Sequence, residues 1–163
     1  MSYEHLNIVE VIRPDTVDLD LKGITCKEEA IHYLAGLLNE AGLINDKDAY
    51  IQSVYERESL GPTYMENFIA IPHGKCAAVR EAGIAFGRSP EGFEYLTQDG
   101  GGLAKLVFLL AIPERTAPDA YIAVLAQLAR LLVHDEFRAK LMEAKCYQDV
   151  FEAIAEGQVL LED

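Results

Sequence analysis

In the segment Arg57-Glu58-Ser59-Leu60-Gly61-Pro62-Thr63-Tyr64-Met65-Glu66-Asn67-Phe68-Ile69-Ala70-Ile71-Pro72-His73-Gly74-Lys75, one histidine follows a short apolar run and a proline. Phe68 to Ile71 reads as a buried strand. Pro72 has no N–H to give a ladder, so pairing is predicted to end just before His73, leaving the imidazole exposed at a strand exit. Gly74 would give the backbone a free turn and leave the ring uncrowded on that side. An imidazole is partly unprotonated near neutrality and nucleophilic, so it can accept a phosphoryl group and release it without a metal. Such transfer needs an accessible nitrogen, a group that fixes the other ring nitrogen, and donors or cations for the three equatorial oxygens. Lys75, the backbone amides around Gly74, the Thr63 hydroxyl and Arg57 are candidates for those donors. The sequence does not show that they converge.

Other residues compete for a chemical role. His5 lies in a terminus expected to be mobile, His32 beside the apolar stripe of a helix, and His134 at a helix end where the dipole favours a cationic ring. Only His73 stands where open α/β sheets often place ligand sites. Cys76 lies three residues beyond it, which raises a thiol nucleophile with a histidine base, hence a hydrolase, or two ligands of a zinc site. Neighbours in a turn seldom have nucleophile and base geometry, and no second Cys or His pair completes a tetrahedral shell, so no metal and no cofactor are expected. Gly100-Gly101-Gly102 precedes a strand and lacks a Lys-Ser or Lys-Thr ending, so it reads as a flexible turn rather than a phosphate loop.

The elements that must position these residues follow from periodicity. An alternation at Val17 to Leu21 reads as an edge strand. Thr25 and Glu28 form a capping box for a helix carrying Ile31, Leu34, Ala35, Leu38 and Ala41, stopped by Gly42. Asn45 or Asp46 caps a second helix running to about Glu58, in which Tyr50, Val54 and Arg57 share a face. An arginine turned inward needs an anionic partner, an internal salt bridge, or a stem that snorkels to the surface. Strands are predicted up to Ile71, from Ala82 to Gly87 and from Leu103 to Ile112, followed by helices over Tyr121 to Leu132, Asp135 to Ala144 and Cys146 to Glu156. Continuous apolar strands suit a sheet covered on both faces. The expectation is a single α/β domain over residues 1–163, with a mixed, mainly parallel sheet flanked by helices on both faces.

Bulk properties narrow the function. The 163 residues, half of them apolar, can bury one sizeable core. A net charge of -13, with 14 basic residues in no run, would repel a phosphate backbone, so nucleic acid is not an expected partner. The acidic surface suits either basic protein patches or solubility alone. No apolar segment approaches bilayer-spanning length, and the first residues lack a signal-peptide pattern, so the chain is expected in the cytoplasm and not inserted in a membrane. Three scattered cysteines read as reduced thiols.

Arg57-Glu58, Pro62-Thr63-Tyr64 and Ile69-Ala70-Ile71-Pro72-His73-Gly74 together resemble the active-site segment of enzyme IIA, mannitol/fructose type, of the phosphoenolpyruvate-dependent sugar phosphotransferase system. The resemblance continues through the Ser89 to Gly92 turn, the Leu106 to Ala111 strand, the Leu125 to Leu132 helix and Phe137 to Leu141, covering about residues 7 to 156, and Pro-Thr-Tyr leans toward the mannitol branch. It implies that His73 takes a phosphoryl group at Nε2 from the phosphohistidine of HPr and passes it to a cysteine of a cognate enzyme IIB, with Arg57 at the phosphate. It also implies an indirect link to the membrane IIC transporter, where sugar choice resides. One departure stands out: the family usually carries a second histidine where this chain has Tyr121. A phenol can donate a hydrogen bond but cannot become cationic near pH 7, so Tyr121 is either a phosphate contact or a core residue. That change keeps open a regulatory role, in which phosphorylation of His73 controls a partner instead of transport.

Overall fold

Leu106 to Ile112, an unbroken apolar run, becomes the spine of the fold because both of its faces are buried. The computed structural model describes residues 7–162, so His5 lies outside the described residues. In chain order the elements are α1 (Ile8–Val11), β1 (Ile12–Asp18), α2 (Lys27–Glu40), α3 (Lys47–Leu60), β2 (Tyr64–Met65), β3 (Ile69–Ala70), β4 (His73–Cys76), β5 (Gly83–Tyr95), β6 (Gly102–Pro113), α4 (Pro118–Leu132), α5 (Asp135–Glu143) and α6 (Tyr147–Glu162). The sheet order is β1-β5-β6-β3-β2, and β4 pairs with β6. Parallel pairing joins β1 to β5 and both β3 and β4 to β6, while β5·β6 and β2·β3 are antiparallel. The sheet is therefore mixed, as expected.

Period-two alternation along β6 sends its side chains to two separate cores. Val107, Leu109 and Ala111 pack with Leu34, Leu38, Tyr50 and Val54 of α2 and α3. Leu106, Phe108, Leu110 and Ile112 pack with Val124, Leu128, Phe137 and Ile154 of α4, α5 and α6, where Phe86 and Phe108 stack at 4.5 Å between ring centroids. Helices thus cover both faces.

Several boundaries differ from the sequence expectation. The first strand is Ile12–Asp18 rather than Val17 to Leu21, and it runs through Pro14. This is tolerable because β1 is an edge strand with a break in register between Ile12 and Val17. There the Thr16 hydroxyl donates to the Ile84 carbonyl at 2.9 Å. Thr25 is bonded to Glu29, at 2.7 Å from its N–H and 2.8 Å from its hydroxyl, instead of to Glu28, because α2 begins one residue later with Cys26 as its N-cap. Asp46 does cap α3, accepting from the Ala49 N–H at 3.1 Å. β5 continues past Gly87 to Tyr95 across an irregularity between Arg88 and Phe93. α6 extends to Glu162. Gly101 has φ +75°, and a Cβ there would lie 1.9 Å from the Tyr95 carbonyl oxygen, which ties the glycine run to the turn between β5 and β6.

Candidate active site

Contrary to the expectation of an exposed strand tip, His73 opens β4 and is only 8% exposed. Pro72 removes a donor but keeps its acceptor, and its carbonyl takes the Leu110 N–H at 3.0 Å. Pairing therefore resumes at once, with His73 opposite Leu110 and Lys75 opposite Ile112.

Residues of β4 alternate between the two helix layers. Gly74 faces α3, where a Cβ would meet Ser53 Oγ at 2.3 Å, Val54 Cγ2 at 2.9 Å and Tyr50 Cε1 at 3.2 Å. Its role is a close approach of helix to strand, not the free turn expected. Cys76 packs into the same layer. His73 and Lys75 take the opposite face, and Lys75 Nζ sits 4.9 Å from the centroid of the Tyr121 ring on α4. Thiol and imidazole are on opposite faces of one strand, so Cys76 and His73 cannot act as a nucleophile and base pair.

The His73 ring is fixed from behind. Its Nδ1 lies 3.1 Å from the Ile71 carbonyl oxygen. A carbonyl only accepts, so Nδ1 carries the hydrogen and the lone pair of the neutral ring is on Nε2. Burial pushes the imidazole pKa below its ordinary value; the Ile71 bond opposes this, the Arg57 charge adds to the lowering, and the Glu58 charge opposes it. His73 is thus held toward its neutral, nucleophilic form.

Arg57 is half-buried, close enough for its charge to act on His73, and its Nη1 donates to the Gly61 carbonyl at 3.0 Å. The fully inward residue of α3 is its neighbour Glu58, 6% exposed, which the sequence reading passed over. The signal was present in the spacing Tyr50, Val54, Glu58, at i, i+4 and i+8. Glu58 accepts hydrogen bonds from the Thr63 hydroxyl and, at 3.2 Å, from the Tyr95 hydroxyl, and pairs with Lys27 at 3.5 Å. The Thr63 hydroxyl is consequently turned into this cluster, 3.0 Å from the Tyr95 hydroxyl. Burial, followed by the Glu58 charge, pushes the Tyr95 phenol well above its ordinary pKa, so it stays protonated. His32 is exposed near the Tyr55 ring, and His134 is exposed as the N-cap of α5.

A neutral, oriented imidazole on a mixed sheet between two helix layers defines a domain suited to carrying a group on one ring nitrogen. Residues 10–157 match the family described as "Phosphoenolpyruvate-dependent sugar phosphotransferase system, EIIA 2", and the chain belongs to that family, whose members are phosphotransferases. It is a phosphocarrier domain of the EIIA type. It is 38% identical over 130 residues to a fructose-specific EIIA component of Haloferax volcanii, covering 80% of this chain and 83% of that protein. Identity is 36% over 149 residues with an Escherichia coli 2-O-alpha-mannosyl-D-glycerate-specific EIIABC component, covering 91% of this chain but 22% of that longer protein. Among solved structures, the nitrogen regulatory protein IIA-Ntr of Neisseria meningitidis matches with TM-score 0.79 and 28% identity, covering 90% of this chain and 98% of that one. The mannitol enzyme IIA of Escherichia coli, solved in complex with phosphorylated enzyme IIB, matches with TM-score 0.71 and 26% identity, covering 90% and 99%. No helix among the described residues is long and apolar enough to cross a membrane.

Proposed function

We propose that this chain carries a phosphoryl group on His73 Nε2 between phospho-HPr and a cognate enzyme IIB, in the cytoplasm, for uptake of a mannitol- or fructose-like sugar through a membrane IIC component. The lone pair on Nε2 attacks phosphorus, the N–P bond of the donor histidine breaks, and its electron pair returns to that nitrogen. In the second step the incoming cysteine thiolate of enzyme IIB displaces Nε2, which regains its lone pair. The observation that carries this reading is the bond from Nδ1 to the Ile71 carbonyl, because it leaves Nε2 as the nucleophilic atom of a neutral ring.

Arg57 is the fixed cation for the phosphoryl oxygens. Lys75 supplies a second cation, parked on the Tyr121 ring on the same face of β4 as His73. Tyr121 then serves the site through its π face. It occupies the place where the family usually has a histidine, and the charge that a histidine would carry comes from Lys75.

The test is phosphorylation by phosphoenolpyruvate, enzyme I and HPr, with the acid-labile phosphate located on the protein. Wild type is expected to be labelled, His73→Ala to be unlabelled, and Arg57→Ala to be labelled at least about tenfold more slowly with its fold intact. Label retained by His73→Ala refutes the reading. The match to the IIA-Ntr protein favours a second reading, in which the phosphorylation state of His73 regulates a partner. The two separate on whether labelled protein discharges to a IIB domain.

A further inference from the structure

The hairpin that precedes His73 is lightly built. β2 and β3 pair over two residues each, β3 meets β6 over two more, and Asn67 and Phe68 between them have φ of +66° and +68°. Ile71 falls between the β3·β6 and β4·β6 pairings, which hold its neighbours Ala70 and Pro72, while its own N–H turns to Thr63 and its carbonyl to His73. Yet the Ile71 carbonyl sets the tautomer of the nucleophile.

A second hold comes from α3. The Thr63 hydroxyl donates to Glu58, the Thr63 carbonyl accepts the Ile71 N–H at 3.0 Å, and the Ile71 carbonyl faces His73 Nδ1 at 3.1 Å. Glu58 is itself pinned by Lys27 at 3.5 Å and by the Tyr95 hydroxyl at 3.2 Å. It is the one buried carboxylate among the described residues. A buried ion pair is a costly way to gain stability, since apolar residues of similar volume often do as well. What a carboxylate offers that an apolar side chain lacks is two oriented acceptors.

We propose that Glu58 is a positioning residue for phosphoryl transfer, holding His73 in its Nε2-nucleophilic tautomer through Thr63 and the Ile71 peptide. For the transfer itself this rests on the phosphocarrier reading above. The tautomer claim does not, and can be tested without any phosphate. Thr63→Val keeps the shape of the side chain and removes the hydroxyl; Thr63→Ser keeps the hydroxyl; Glu58→Gln keeps the size and removes the charge.

Nitrogen-15 NMR of the imidazole in unphosphorylated protein reads the tautomer directly. Wild type and Thr63→Ser are expected to show the Nδ1–H form. In Glu58→Gln and Thr63→Val the Nε2–H form is expected to appear alongside it, and the initial rate of labelling from phospho-HPr to fall at least about tenfold. Wild-type tautomer and wild-type rate in folded Glu58→Gln and Thr63→Val would overturn the proposal. If those two variants do not fold, Lys27→Met loosens the same anchor from its solvent side, and an unchanged tautomer there would overturn it. Absence of label on His73 in wild type would defeat the phosphocarrier reading alone, because the tautomer measurement still decides the part played by Glu58.

Discussion

On the α3 side of β4 there is no room for a methyl group: the nearest atom to a Cβ on Gly74 would be Ser53 Oγ at 2.3 Å, and the Tyr50 hydroxyl spans the layer to donate to the Leu110 carbonyl at 2.6 Å. On the α4 side the same strand presents an imidazole and an ammonium, and the ammonium is held by an aromatic face instead of by a carboxylate. One face fixes the strand by packing and the other presents an imidazole and an ammonium. The rigid side positions the side proposed to react, because a displacement of the strand moves His73 and Lys75 together.

Breaking the packed side should have the largest effect on stability. Gly74→Ala is expected to cost about 1–3 kcal/mol through overpacking against α3, read as a lower denaturation midpoint with unchanged slope. A stability equal to wild type would mean that α3 is not seated on β4 as described. On the reactive side the pattern should invert. Lys75→Met is expected to leave stability within about 1 kcal/mol, while slowing phosphoryl acceptance about tenfold. Tyr121→Phe, which keeps the ring under the ammonium, should differ from wild type by less than about twofold in rate. A large loss in Tyr121→Phe would instead assign the phenol hydroxyl a direct part.

The smallest effect is expected in the pH dependence. The folded pKa of His73 lies below its ordinary value of 6.5. Below pH 6.5 the unfolded chain therefore binds more protons than the folded one, and stability falls as pH drops through that value toward the folded pKa. His73→Gln should remove part of this loss between pH 7 and pH 5. An NMR titration that put the His73 pKa above 6.5 would contradict the burial that sets its sign.

Much of the scaffold was legible because its signals are local. The stripe of α2, the Asp46 cap of α3, the apolar run of β6 and the broad apolar face of α4 each depend on residues within a few positions of one another. The strand carrying His73 was misread because Pro72 was expected to end pairing, whereas its retained carbonyl and a partner some 37 residues later restore it. Glu58 was missed for a related reason. Its spacing from Tyr50 and Val54 points it inward, but a lone carboxylate is costly to bury, and only the arrival of Lys27, Thr63 and Tyr95 from three other segments makes its burial tolerable.

By itself the sequence determined the class of fold and the family, since residue types and spacing suffice for those. Tertiary structure alone decided which ring nitrogen is free, that Cys76 turns away from His73, and that Lys75 meets Tyr121. Each of these depends on which face of a strand meets which helix, and that is set by long-range pairing between segments that carry no local mark of one another.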